Sequence, residues 1–121
     1  MKRNMDLVRK ILFKIEEHEH GYAEQNLSID GFTAEQIGYH IWLMGKDRLL
    51  ETVELVNSAS DSPVARAISL LPAGHDFVDN ARSDTTWAEA KKKVESVGGS
   101  VSLALLSQVL QSIVKAHLGL P

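Results

Sequence analysis

A change in hydrophobic period near Leu49 constrains the fold of this chain more than any other feature. Before it, Ile37, Ile41 and Met44 recur every three or four residues, which places them on one face of a helix. After it, the pattern alternates with a period of two on both sides of a polar loop, residues 57–63. The alternating residues are Val53 and Leu55 before the loop, and Arg66, Ile68 and Leu70 after it. The sequence therefore predicts a helix followed by a β-hairpin with a long tip.

Two capping boxes predict where helices begin. Thr33 and Gln36 have the residue types that exchange side-chain and backbone bonds at a helix start, and they predict a helix over residues 33–47. Thr86 and Glu89 have the same spacing and predict a second start, for a helix that ends at the glycines at 98 and 99. Apolar spacing predicts three further helices, from about residue 4 to 18, from Pro72 onward, and from about residue 101 to 118.

The order of these elements is typical of a winged helix, in which a β-hairpin wing completes a group of helices. We therefore predict an α+β fold, mainly α, with residues 1–83 as the winged-helix core. Residues 84–121 are predicted to form a C-terminal helical extension of the same domain. A short third strand at residues 27–29 is expected to join the hairpin. A chain of 121 residues has room for one hydrophobic core of this kind.

The composition excludes several classes of protein. Because the chain has no cysteine, disulfides, cysteine-ligated zinc and thiol nucleophiles are excluded. We expect no membrane span, since no window of about 18 apolar residues occurs. The N-terminus lacks the apolar core of a signal peptide, which favours a cytoplasmic location. The net charge of −3 provides no overall attraction to nucleic acid or to an anionic membrane.

The five histidines do not suggest a reactive site. His18 and His20 are two residues apart at a helix end, whereas helical zinc ligands are usually three or four residues apart. We interpret His40, at the edge of the apolar stripe, as a histidine of the core rim that bonds to backbone. His75, beside Asp76, is most simply a polar residue of a first helical turn. With no nucleophile motif or cofactor fingerprint, we expect no enzyme activity, cofactor, metal or small-molecule substrate.

Five stretches of the chain together resemble a known family. They are MKRNMDLVRKIL, EHEHGYA, QIGYHIWLMG, AGHDFVDNAR and VGGSVSLALL, and they span nearly the whole chain. They are similar to the small bacterial and prophage proteins known as domain of unknown function 2513. The resemblance implies a winged-helix-like fold and a phage-derived context, and it implies no particular activity, cofactor or catalytic residue.

Two positions depart from the pattern of that family. Arg48 stands where Gly often ends the capped helix, and Leu71 stands where Thr often caps the helix after the hairpin. We expect Arg48 to adopt the left-handed conformation at a cost of about 1 kcal/mol relative to Gly.

The face of the capped helix opposite its apolar stripe is the first candidate surface. At about 100° per residue, it carries Glu35, Tyr39, Trp42 and Lys46. A winged helix that reads DNA inserts this helix into the major groove and needs Arg, Lys, Asn or Gln there. Three interpretations of the two aromatics stay open. They are covered by the C-terminal helices or a second subunit, they bind a protein partner, or they contact nucleic acid.

Two basic patches are candidate phosphate-binding surfaces, the alternative being that each is a solvated helix face. The first comprises Lys2, Arg3, Arg9, Lys10 and Lys14, and the second comprises Lys91, Lys92 and Lys93.

The last helix has apolar residues over more than a third of its circumference, which predicts burial on two sides. It packs either within the chain or against a second copy, and the residues of the candidate dimer helix are Leu103, Leu106, Leu110 and Ile113.

These patterns favour a non-enzymatic binding module, and they leave two hypotheses open. One is a DNA-associated, prophage-type regulator, which rests on analogy of fold and context. The other is a protein-interaction or homodimerisation module that does not bind nucleic acid. The charge count favours the second, because the capped helix, residues 33–48, has no net positive charge and the tip of the predicted wing, residues 57–65, has no cation.

Overall fold

The computed structural model describes residues 1–56, 60–98 and 102–121. Over these residues the fold is α+β and mainly helical, as predicted, with helices and one antiparallel hairpin. The elements are α1 (Met5–Glu17), α2 (Ala34–Lys46), β1 (Leu50–Leu55), β2 (Val64–Leu70), α3 (Pro72–Ala81), α4 (Asp84–Glu95) and α5 (Leu103–His117). No helix among the described residues has both the length and the apolar character needed to cross a bilayer.

The chain divides into two compact units. The N-terminal unit, Met1–His75, contains α1, α2, the hairpin and the first turn of α3. The C-terminal unit, Asp76–Pro121, contains the rest of α3 with α4 and α5.

Helix α2 begins and ends as local sequence signals predict. The Gln36 backbone N–H donates to the Thr33 hydroxyl (3.1 Å) and the Thr33 N–H donates to the Gln36 side chain (2.8 Å), which confirms the capping box. Arg48 has a φ of 60°, so it does occupy the left-handed position. The N–H groups of Arg48 and Leu49 donate to the carbonyls of Gly45 and Met44, which completes the bonding of a helix end normally built on glycine.

The hairpin presents a different face to α2 from the one that the alternation of larger apolar residues suggested. Ala65 and Ala67 are buried, whereas Val53 and Leu55 are 45% and 48% exposed. The register pairs Thr52 with Ala67, and a bulge at Glu51/Thr52 shifts the pairing. The buried face of the hairpin therefore carries small side chains.

The close approach of α2 to the hairpin explains why the buried face of the hairpin is the one with small side chains. Gly38 and Gly45 are seven residues apart and lie on the same side of the helix. A Cβ at Gly38 would lie 3.0 Å from the Cβ of Val64, and one at Gly45 would collide with the Thr52 side chain. Helix and hairpin are thus in contact at two positions where only glycine leaves enough room. Large side chains on the face of the hairpin that packs against α2 would not fit.

The predicted third strand does not form among the described residues, and another segment meets the edge of β2. A single bridge joins Tyr22 to Ser69, and the Ala23 N–H donates to the Ile68 carbonyl over 2.8 Å. Residues 27–29, predicted as that strand, do not pair with the hairpin. The Ile29 carbonyl instead accepts from the Phe32 N–H, in the turn that leads into the cap of α2.

In the C-terminal unit, α4 begins three residues before the predicted capping box. Its N-cap is Ser83, whose hydroxyl accepts from the Thr86 N–H over 3.2 Å. The prediction of Thr86 as cap was wrong because Ser83 is an equally good capping residue, and Asp84 then adds a favourable charge to the first turn. Gly98 has a left-handed φ of 104°, as expected of a helix stop. Residues 99–101, which include the second predicted glycine and the predicted start of the last helix, lie outside the described residues.

Candidate interaction surfaces

Helix α2 carries a row of four side chains opposite its apolar stripe. Residues of the hairpin bond to the two charged members of this row. The row consists of Glu35, Tyr39, Trp42 and Lys46, and we call it the α2 face. Tyr39 and Trp42 are half-buried and stack on each other, with ring centroids 5.9 Å apart and planes inclined by 19°. The Lys46 ammonium lies 5.3 Å from the centroid of the Trp42 ring.

Residues of the hairpin bond to both charged side chains of the α2 face. Lys46 donates to the Glu54 carboxylate over 2.6 Å, and the Ser62 hydroxyl donates to the Glu35 carboxylate over 2.7 Å. The hydrogen bond from Lys46 holds the pKa of Glu54 below its usual value, and the lysine charge and a hydrogen bond from the Trp42 side chain act in the same direction. The single cation of the α2 face is therefore engaged by β1.

His40 is part of the core and fastens α1 to α2. It is 1% exposed, so it lies deeper than the rim position that its spacing suggested. The Asn4 N–H donates to its Nε2 (2.8 Å), and its Nδ1 lies 2.7 Å from the Gln36 carbonyl. Since a backbone N–H can only donate, Nε2 is the acceptor and the proton of the neutral ring resides on Nδ1. The prediction that His40 bonds to backbone is confirmed at both ring nitrogens.

The two basic patches belong to different compact units. In the N-terminal unit, Lys2, Arg3 and Lys10 are exposed. Arg9 lies with its guanidinium 4.6 Å from the Phe13 ring centroid, and Lys10 has its ammonium 5.6 Å from that of Phe32. Lys14 is half-buried. In the C-terminal unit, Lys91 is half-buried, and Lys92 and Lys93 are exposed.

The residues of the candidate dimer helix are buried in the single chain. Leu103, Leu106, Leu110 and Ile113 all have almost no accessible surface. This burial is the packing within the chain that was the alternative to a homodimer surface, and a side chain with so little accessible area has little to lose on association. Leu105 and Leu118 are the large apolar residues that α5 and its C-cap leave exposed.

A groove of about 600 Å³ opens in the N-terminal unit beside β2. Its walls are residues 24–27, the first half of α2 and, from the hairpin, Leu55, Ser60, Asp61 and residues 64–67 of β2. Its floor is apolar, with Ile37 and Ile41 from α2 and the small side chains of Ala65 and Ala67 from β2. Sequence reasoning missed this groove, and the two glycines spaced by seven on α2 are the signal that could have indicated a close helix–hairpin contact.

The His18 and His20 rings meet edge to face with centroids 5.7 Å apart. Across the described ranges, no three histidine, aspartate or glutamate side chains converge as metal ligands would.

Comparison with known proteins places the chain in a family. The family model described as hypothetical protein (DUF2513) matches residues 2–100. A protein of Haemophilus influenzae, described as an uncharacterized protein, is 35% identical over 121 residues, which cover 98% of this chain and 99% of the relative. No solved structure matches the chain. The match over most of the length and the full-length relative together mean that this chain belongs to the DUF2513 family.

Proposed function

We propose that this protein is a non-enzymatic protein-interaction module of winged-helix type, and that it takes its partner on the α2 face. The order α1, α2 and hairpin, with Tyr22 bridging to β2, supports the winged-helix assignment. In such folds the helix before the hairpin is the one that docks on the partner.

The stacked pair of Tyr39 and Trp42 carries the proposal. Aromatic side chains are enriched at protein interfaces, where they lose area with little loss of conformational freedom. A helix that reads DNA needs free cations instead. Here the one lysine of the α2 face is held by Glu54, and with Glu35 the site has two carboxylates for one ammonium. This arrangement favours a protein over a polyanion.

Photo-crosslinking from the α2 face tests the proposal. A photoreactive phenylalanine analogue in place of Tyr39 is expected to give a discrete adduct in bacterial cells that protease removes and nuclease does not. The matched control carries the same analogue at Val53, which is exposed on the other side of the hairpin. A nuclease-sensitive adduct from position 39, or the same protein adduct from both positions, would contradict the proposal.

The N-terminal basic patch supports DNA binding as a second candidate. Lys2, Arg3 and Lys10 are exposed on one unit, and phosphate contacts of this kind supply most non-specific affinity. If DNA is bound there, replacing these three residues with Gln should make the plot of log affinity against log salt concentration shallower, reducing the magnitude of its negative slope by about 3. The matched control is Lys92→Gln with Lys93→Gln, which removes exposed cations from the other unit. No binding of mixed duplex DNA at about 50 mM salt would dismiss this candidate.

A further inference from the structure

The groove beside β2 runs along the edge of the strand rather than across one of its faces. Val64, Ala65, Arg66 and Ala67 are consecutive, and all four line the groove. Consecutive side chains of a strand point to opposite faces, so a surface that meets all four lies at the strand's edge. Four residues offer an edge about 13 Å long at about 3.3 Å per residue.

The backbone on this edge of β2 is open over the same residues. Tyr22 and Ala23 pair with Ser69 and Ile68, and residues 24–27 then turn away to form the opposite wall of the groove. Within the described parts of the chain, no backbone group bonds to the outer edge of β2 between Val64 and Ala67. An unpaired edge is a template for a further strand.

The groove has the dimensions and lining that an added strand requires. The groove is deep because small residues line it, namely Ala34 and Gly38 on α2 and the two alanines of β2. Leu27 and Leu55 border it with apolar surface that is partly accessible. A strand in this position would satisfy backbone groups on one side and cover the accessible apolar surface of Leu27 and Leu55.

The charges around the groove select the partner. Glu24, Glu35 and Asp61 line it, against Arg66 as the cation. Glu24 and Asp61 are exposed, and among the described residues neither has an ion-pair partner. The rim is therefore acidic, and it complements a segment that carries Lys or Arg.

We propose that this groove binds an extended, basic segment of a partner protein, which adds to the Val64–Ala67 edge of β2 as a further strand. The inference concerns a surface other than the aromatic pair of the α2 face, so each can fail without the other. Backbone bonds to β2 supply affinity, the accessible apolar surface of Leu27 and Leu55 takes apolar side chains, and the acidic rim takes the cations.

Peptide binding to the purified full chain tests this proposal by fluorescence anisotropy. The probe is a fluorescein-labelled peptide of alternating lysine and valine, and its charge control alternates glutamate and valine. We expect the lysine peptide to bind at low salt and the glutamate peptide not to bind. Two further peptides are methylated on the backbone nitrogen, one at every lysine and the other at every valine. Only alternate backbone N–H groups of a strand face its neighbour, so one of these two peptides should lose binding. Equal binding by both methylated peptides, or no binding by the lysine peptide, would overturn the proposal.

Matched variants locate the bound peptide. Glu24→Gln with Asp61→Asn should weaken binding about fivefold, at roughly 0.5 kcal/mol for each exposed charge pair. The control, Asp47→Asn with Glu51→Gln, removes the same charge from exposed positions outside the groove. Equal weakening by both pairs would mean attraction to overall charge and would overturn the assignment. A self-associated chain that the lysine peptide dissociates would assign the groove to a second copy and would likewise refute a separate partner.

Discussion

Acidification should destabilise the N-terminal unit through His40. Burial lowers the pKa of this imidazole below its usual value of 6.5, and the hydrogen bond to Gln36 opposes the shift only in part. The geometry gives the reason, because a proton on Nε2 would point at the Asn4 N–H, 2.8 Å away, and two donors would face each other in the core.

The sign and size of the effect follow from proton linkage. In the unfolded chain His40 takes up a proton near pH 6.5, whereas in the folded chain it does so at lower pH. The stabilisation is therefore complete above the unfolded pKa. It is lost as the pH falls from about 6.5 to the folded pKa, at up to about 1.4 kcal/mol per pH unit for one proton.

Urea unfolding at a series of pH values measures this slope. In a Trp87→Phe background, Trp42 is the remaining tryptophan and its fluorescence reports on the unit that contains His40. His40→Phe should lower the free energy of unfolding at neutral pH by about 1 to 3 kcal/mol, since the Asn4 N–H loses its acceptor. The same variant should flatten the pH dependence below about pH 6.5, and the matched control is His75→Gln, which removes an exposed imidazole. Wild-type and His40→Phe curves that stay parallel down to about pH 5 would refute the reasoning.

Three further measurements test the packing, capping and charge arguments. Gly45→Ala should lower the free energy of unfolding by about 1 to 2 kcal/mol, despite the better helix propensity of Ala, because its Cβ would collide with Thr52. Adding Thr52→Ala should recover part of this loss. A Gly45→Ala variant more stable than the wild type would contradict the close contact. Ser83→Ala should cost about 1 kcal/mol in thermal or urea unfolding, and an unchanged midpoint would show that α4 does not depend on that cap. In an NMR titration, Lys46→Gln should raise the pKa of the Glu54 carboxyl, and the same pKa in both proteins would mean that the ion pair does not form in solution.

The sequence predicted those parts of the fold that short-range bonds determine. The cap at Thr33 joins groups three residues apart, and the bonds that end α2 at Arg48 span a single turn. The α2 face was predictable for the same reason, since helix geometry alone places Tyr39 and Trp42 on one side. The use of Ser83 rather than Thr86 shows the limit of this reasoning, because two good caps three residues apart compete locally.

The tertiary structure alone decided which groups meet across the hairpin. The partners of the α2 face, Glu54 and Ser62, come from segments separated from it in sequence, and the bulge at Glu51/Thr52 sets the register that brings Glu54 to Lys46. The same contact reversed the expected face of the hairpin, because the helix approaches too closely for large side chains. The sequence by itself thus determined the helices and the aromatic pair through contacts within one or two turns, and it indicated the hairpin through alternation on both sides of one loop. The buried face of the hairpin, the Lys46–Glu54 pair and the groove depend on strand register and on the distance between helix and hairpin. Both arise only when distant segments pack together.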